Sequence, residues 1–162
     1  MAYQRLQVSE GLAVIPSDTV PIPDPATEVI SGTADFSVAG VLTDTAPTAF
    51  TTAGIQTNAI VYNVTAGIAY YVTAVTDDLN LALSPSSAGG AADEYVIYNA
   101  ATKACTLYVG VAGALIVQMA SQRDAANTDT VTFQNVPSSS FLPILVTRVA
   151  TATVASNIIA LW

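Results

Sequence analysis

The final third of the chain reads TLYVGVAGALIVQM at 106–119, DTVTFQNVPSSSFLPILVTRV at 129–149 and ATATVASNIIALW at 150–162. Large apolar residues occupy alternate positions in its first part, at Leu107 and Val109 and again at Leu115 and Val117. Alternation with a period of two is typical of β-strands, whose successive side chains point to opposite faces of a sheet. The stretch therefore predicts short strands that bury one face in a core or against another subunit.

The same region contains an uncharged segment that could also be interpreted as a membrane-spanning helix. Residues 104–122 carry no charge and are about as long as a membrane-spanning helix. The pattern favours strands instead, because Gly110 and Gly113 interrupt the segment and its large residues alternate. We therefore predict two strands here and no membrane partner.

The N-terminal region is rich in proline, with Pro16, Pro21, Pro23 and Pro25 within ten residues. Proline cannot continue a helix, and it donates no hydrogen bond to a sheet. Residues 1–29 are therefore predicted to form an extended arm that lies along a surface or a neighbouring chain. A linker or a disordered lead is the alternative that composition leaves open.

The middle of the chain also alternates with a period of two, as at Tyr71, Thr73 and Val75. Turn-forming residues separate these runs, including the loop 84–90, which is rich in serine and glycine. Several short strands at this spacing favour a small barrel or sandwich. We predict an all-β chain in which a small β-barrel-like module, 30–99, is inserted between the arm and a C-terminal β-domain, 100–162. The arm packs with that outer domain, a small jelly-roll-like sandwich or barrel.

The composition excludes several classes of function. Charged residues make up 10% of the chain, well below the roughly 25% of an ordinary soluble domain. The 12 acidic residues outnumber the 4 basic ones, which argues against binding to nucleic acid or to anionic membranes. The chain contains no histidine and one cysteine, so the usual general base and the commonest metal ligand are missing. We expect no enzyme activity, no cofactor and no metal.

Carboxylates are the remaining candidates for chemistry. Asp77-Asp78 lies in a predicted hairpin turn, and Asp93-Glu94 follows the glycine-rich loop. Adjacent side chains of an extended segment point to opposite sides, so neither pair forms an acid/base couple by itself. Asp124, Asn127 and Asp129 offer oxygens for Ca²⁺, but their spacing matches no EF-hand and favours a solvated loop.

Seven residues are candidates for contacts with another molecule. Tyr70, Tyr71, Tyr95 and Tyr98 form an aromatic group that could bind sugars or a subunit, or pack within the fold. Arg148 is one of few cations in an acidic chain and is a candidate for pairing at a contact. The apolar C-terminal strand adds Ile158 and Trp162, whereas Cys105 is expected to be a small buried hydrophobe.

The order of several motifs resembles that of the small virion structural proteins of tailed bacteriophages. The motifs are VIPSDTVPIPDP at 14–25, AIVYNVT at 59–65, TLYVGVAGALIV at 106–117, DTVTFQNVP at 129–137, LPILVTRV at 142–149 and TATVASNIIAL at 151–161. The resemblance implies a capsid decoration, or cement, protein on the outer surface of the virion, made in the host cytoplasm. Its partners would be the major capsid protein and other copies of itself. We predict a homotrimer, because a three-fold assembly matches local symmetry axes of icosahedral shells.

Two other functions stay open. One is a head-fibre or tail adhesin that binds host glycan through the tyrosine group. The other is a divergent glycan depolymerase, for which Asp93 and Glu94 are the carboxylates that the sequence offers.

Overall fold

The computed structural model describes residues 8–44, 50–99, 102–121 and 129–162. Strands account for 52% of the chain and helix for 2%, which confirms the all-β prediction. Among the described residues, the helical part is a single 3-10 turn at Pro25–Thr27. The first seven residues of the predicted arm, and Asp124 and Asn127 of the predicted acidic loop, lie outside the described residues.

Twelve strands are described, all paired antiparallel. In chain order they are β1 Gly11–Ala13, β2 Glu28–Ala34, β3 Val41–Thr43, β4 Ile60–Asn63, β5 Ile68–Val75, β6 Asn80–Ser84, β7 Asp93–Tyr98, β8 Cys105–Val111, β9 Gly113–Met119, β10 Val131–Val136, β11 Ser140–Val149 and β12 Ser156–Leu161. The uncharged segment 104–122 thus forms the strands β8 and β9, as its alternation predicts.

The chain divides into two compact units, and each contains one six-stranded sheet. The terminal unit consists of Met1–Val14 and Ala104–Trp162, and the central unit of Ile15–Lys103. Residues 15–29, which the sequence analysis placed in the arm, thus belong to the central unit. Val20 and Ile22 of this segment are buried, because proline fixes the backbone without preventing its neighbours from packing.

The terminal unit has the strand order β1-β12-β8-β11-β9-β10. The alternate residues Leu107, Val109, Leu115 and Val117 are all fully buried, so the pattern that predicted these strands also marks their inward face. β11 pairs first with β8 and then with β9, and its register shifts between Leu142 and Val146. Pro143 lies in this interval, where its missing N–H costs no ladder hydrogen bond.

The central unit has the strand order β2-β7-β4-β5-β6-β3. Asp35, directly after β2, forms a bridge with Thr43 at the end of β3, with N–H···O distances of 2.8 and 2.9 Å in the two directions. The bridge connects the two outermost strands, so the sheet closes on itself. It surrounds a core of large apolar and aromatic side chains that includes Phe36, Leu42, Phe50, Val61, Tyr70, Val72, Leu81, Tyr95 and Ile97.

Candidate interaction surface

The predicted tyrosine group lies in the central unit, and three of its four members are buried. Tyr70, Tyr95 and Tyr98 expose 0%, 1% and 3% of their surface, whereas Tyr71 is half-buried. The ring of Phe36 stacks on that of Tyr70 at 5.9 Å and meets Tyr95 edge-on at 6.3 Å. Tyr70 and Tyr95 therefore belong to the core of the central unit, whereas Tyr98 is buried outside that core with its ring edge-on to that of Tyr62 at 5.8 Å. The assignment of the four tyrosines to an interface stays a prediction.

Two of these tyrosines differ in how their hydroxyl groups are satisfied. The Tyr95 hydroxyl donates a 2.5 Å hydrogen bond to Asp44 Oδ2, and both side chains are buried. Within the described part of the chain, the buried Tyr70 hydroxyl has no hydrogen-bond partner. Burial, with the nearby charge of Asp93, raises the pKa of Tyr70, and burial with the Asp44 bond raises that of Tyr95.

The contrast gives a matched pair of substitutions. We expect Tyr95→Phe to lower the free energy of unfolding by about 1–3 kcal/mol, because it removes a donor from a buried carboxylate. Tyr70→Phe should be neutral or slightly stabilising, because it removes a buried hydroxyl that makes no bond. Urea denaturation of the two variants measures the difference. Equal changes in the free energy of unfolding for both variants would show that the hydrogen bond to Asp44 does not stabilise the fold.

The Asp93-Glu94 pair is divided between the inside and the outside of β7. Asp93 Oδ2 accepts hydrogen bonds of 2.7 Å from Asn63 Nδ2 and from the N–H of Gly90, and the carboxylate is buried. Glu94 is exposed and lines an open depression of about 340 Å³ together with Thr33 and Val64. The two carboxylates therefore lie on opposite faces of the strand. Asp93 fixes the glycine-rich loop to the barrel wall.

Asp77 serves the β5–β6 hairpin turn. Its Oδ1 accepts bonds of 2.8 Å from the N–H of Leu79 and 2.9 Å from Asn80 Nδ2, and these bonds lower the pKa of Asp77. Its neighbour Asp78 accepts a hydrogen bond from the Thr51 hydroxyl.

The described residues contain no group of three or more carboxylates and cysteines close enough to hold a metal ion. Among them there is likewise no helix long and apolar enough to cross a membrane.

Cys105 is buried on β8 and lies 3.6 Å from the carbonyl oxygen of Val146. Burial raises the pKa of the Cys105 thiol to about 12, from an ordinary value of 9.0. The protonated thiol is therefore favoured in the folded state. The resulting stability is fully present below pH 9 and is lost as the pH rises through about 12.

This environment predicts that the Cys105 thiol reacts slowly. At pH 8 we expect a disulfide-exchange reagent such as DTNB to react at least about a hundredfold more slowly with the native protein than with the urea-unfolded chain. The reason is that both the thiolate fraction and the access to sulfur are reduced by folding. Stopped-flow absorbance measures the two rates, and comparable rates would contradict the buried position of Cys105.

The other three predicted contact residues lie in the terminal unit. Arg148 is 2% exposed, with Nε 3.5 Å from Gln118 Oε1, and Ile158 is 5% exposed and points into the core. Trp162 is half-buried, and its backbone N–H donates a hydrogen bond to the carbonyl oxygen of Glu10 at 3.2 Å. The described contacts of these residues lie within their own unit, and their role in contacts between chains stays a prediction.

Residues that the sequence analysis did not select form a partly exposed apolar row on the outward face of the terminal sheet, in which Tyr108 is half-buried. Tyr108 on β8 is paired in register with Ile159 on β12 and with Phe141 on β11. The rings of Tyr108 and Phe141 are 5.1 Å apart, and Phe141 is 64% exposed. On the far side of Ile159, β1 contributes Ala13 to the row. We call Ala13, Ile159, Tyr108 and Phe141 the apolar row.

The four strands that carry the apolar row present no charged side chain outward. β1, β8 and β12 contain no charged residue, and β11 contains only Arg148, which is buried. The sequence signal for the row was present but ambiguous. Ile158 and Ile159 are adjacent and equally apolar, so only the pairing with β8 decides which one faces outward.

Comparison of the chain with protein-family models, with curated proteins and with solved structures finds no match. The site is therefore defined by its own geometry: an apolar face of the terminal sheet whose four strands present no charge outward.

Proposed function

We propose that this chain is a structural protein of a tailed-phage virion, a capsid decoration protein that reinforces the head through contacts between subunits. The observation that carries the proposal is the apolar row. A sheet face with Phe141 at 64% exposure, on four strands that present no charge outward, is costly to leave in water. Contact with another protein surface removes that cost, as expected of a structural protein that functions through its interfaces.

The partners in this proposal are other copies of the chain, in a homotrimer, and the major capsid protein of the shell. The location is the outer surface of the capsid, after synthesis in the host cytoplasm. The order of the sequence motifs supports this setting, and the low content of charged residues, 10%, supports a surface that is largely shared with neighbours.

The alternatives draw less support from the geometry. The glycan-binding adhesin places its ligand on the tyrosine group, but Tyr70, Tyr95 and Tyr98 are buried. The depolymerase requires two carboxylates in one groove, but Asp93 and Glu94 lie on opposite sides of β7. Neither alternative is proposed here on those residues.

Copy number per particle tests the proposal. Quantitative mass spectrometry of purified phage particles should give an abundance comparable with that of the major capsid protein. Antibody labelling in electron micrographs should mark the head. Labelling confined to the tail, with only a few copies per particle, would contradict a decoration role and favour an adhesin.

A further inference from the structure

The two units carry very different charge. The terminal unit, residues 1–14 and 104–162, contains three acidic residues and three arginines, so its formal net charge is zero. The central unit, Ile15–Lys103, contains nine acidic residues and one lysine. The whole net charge of −8 therefore lies in the central unit.

This division determines how two copies of the chain can approach each other. Contact between two central units would bring together two surfaces with many carboxylates, and like charges that face each other at an interface cost several kcal/mol. Contact between two terminal units brings together neutral surfaces. The apolar row lies on the terminal unit, on a face whose four strands present no charge outward.

We propose that the apolar row is the self-association face of this protein, and that its occupant is the terminal unit of another copy. The row offers an aromatic pair, Tyr108 and Phe141, flanked by Ile159. Aromatic side chains of this kind dominate the energy of protein interfaces. Electrostatic repulsion keeps the acidic central units of neighbouring copies apart. The inference deepens the proposed structural role and rests on it only for its biological purpose, because self-association is measurable on the purified chain.

Phe141→Glu is the substitution that tests the face. Phe141 is exposed, so the change leaves the core intact, and it places a carboxylate on each face of a neutral contact. Val154→Glu is the matched control, because Val154 is 70% exposed in the same unit but lies outside the apolar row. Both variants change the net charge equally.

Sedimentation equilibrium of the full-length chain gives the result. The wild type and Val154→Glu should self-associate with similar affinity, and Phe141→Glu should associate on the order of a hundredfold more weakly. Added salt should leave the wild-type affinity unchanged or strengthen it, because it screens the repulsion between central units. A monomeric wild type would overturn the proposal, as would equal effects of the two substitutions.

Two further measurements keep the outcome interpretable. If circular dichroism shows that Phe141→Glu is unfolded, hydroxyl-radical footprinting of the wild type replaces it. Phe141 and Tyr108 should then become protected as concentration rises while Val154 does not, and unchanged labelling would refute the proposed face.

A monomeric chain that is abundant on phage heads would overturn the self-association face alone. A self-associating chain absent from particles would overturn the virion role alone.

Discussion

Deletion of residues 157–162 is expected to unfold the terminal unit and to leave the central unit folded. β12 lies inside the terminal sheet, between β1 and β8, so the deletion removes an internal strand and separates β1 from its only partner among the described strands. It also removes Ile158 and Ala160 from the core. Each large buried apolar side chain stabilises by about 1.5–3 kcal/mol, and a domain of this size has only about 5–15 kcal/mol in total.

Differential scanning calorimetry measures this prediction. The full chain should show unfolding of both units, and the truncated chain should retain only the transition of the central unit, whose sheet closes through the Asp35–Thr43 bridge. Limited proteolysis should then yield a protected fragment close to Ile15–Lys103.

A pair of adjacent isoleucines supplies the control for the truncation. Ile158→Ser should destabilise strongly, because Ile158 is 5% exposed, whereas Ile159→Ser should have a small effect, because Ile159 is 37% exposed. A truncated chain that keeps both calorimetric transitions would show that β12 is dispensable, and the strand order described for the terminal sheet would then be wrong.

The sequence predicted the strands well because their signal is local. Alternation at Leu107, Val109, Leu115 and Val117 depends only on the geometry of an extended backbone, and the structure places all four in the core. Gly113, which interrupts the uncharged segment in the sequence, also marks the break between β8 and β9 in the structure, since glycine has strong local preferences.

The candidate site was harder to predict because it depends on pairing between distant segments. Phe141 and Ile159 become neighbours of Tyr108 only through the register of β11 and β12 with β8. The burial of the tyrosines has the same origin. Tyr95 finds its partner Asp44 on a segment 51 residues away, and strand composition alone does not show which face of a closed sheet is inward.

Gly113→Ala is expected to be among the most destabilising single substitutions in the terminal unit. A Cβ atom at Gly113 would lie 2.6 Å from the backbone nitrogen of Ala155 and 2.9 Å from the carbonyl carbon of Val154. Both contacts are shorter than van der Waals distance, and both are with backbone, which cannot rotate away as a side chain does. The segment 154–155 must therefore move.

That movement also breaks hydrogen bonds. The N–H groups of Val154 and Ala155 donate to the carbonyl oxygen of Ala114, at 2.8 and 3.1 Å. Overpacking costs about 1–3 kcal/mol, and each lost backbone hydrogen bond costs about 1 kcal/mol more. With both bonds lost, we expect Gly113→Ala to lower the free energy of unfolding of the terminal unit by about 3–5 kcal/mol, which corresponds to a decrease in Tm of at least about 10 °C for a unit of this size.

The matched control for this substitution is Gly11→Ala in β1 of the same sheet. A Cβ there would lie 3.4 and 3.5 Å from side-chain atoms of Leu161 and Ile159 and 3.8 Å from the carbonyl oxygen of Ala160, which are all ordinary packing distances. Gly11→Ala should therefore change stability little, or increase it slightly through the lower entropy of the unfolded chain. Thermal unfolding followed by circular dichroism compares the two variants. If Gly113→Ala melts within a few degrees of Gly11→Ala, the close approach of segment 154–155 to Gly113 does not hold in solution, and β9 must pack further from that segment.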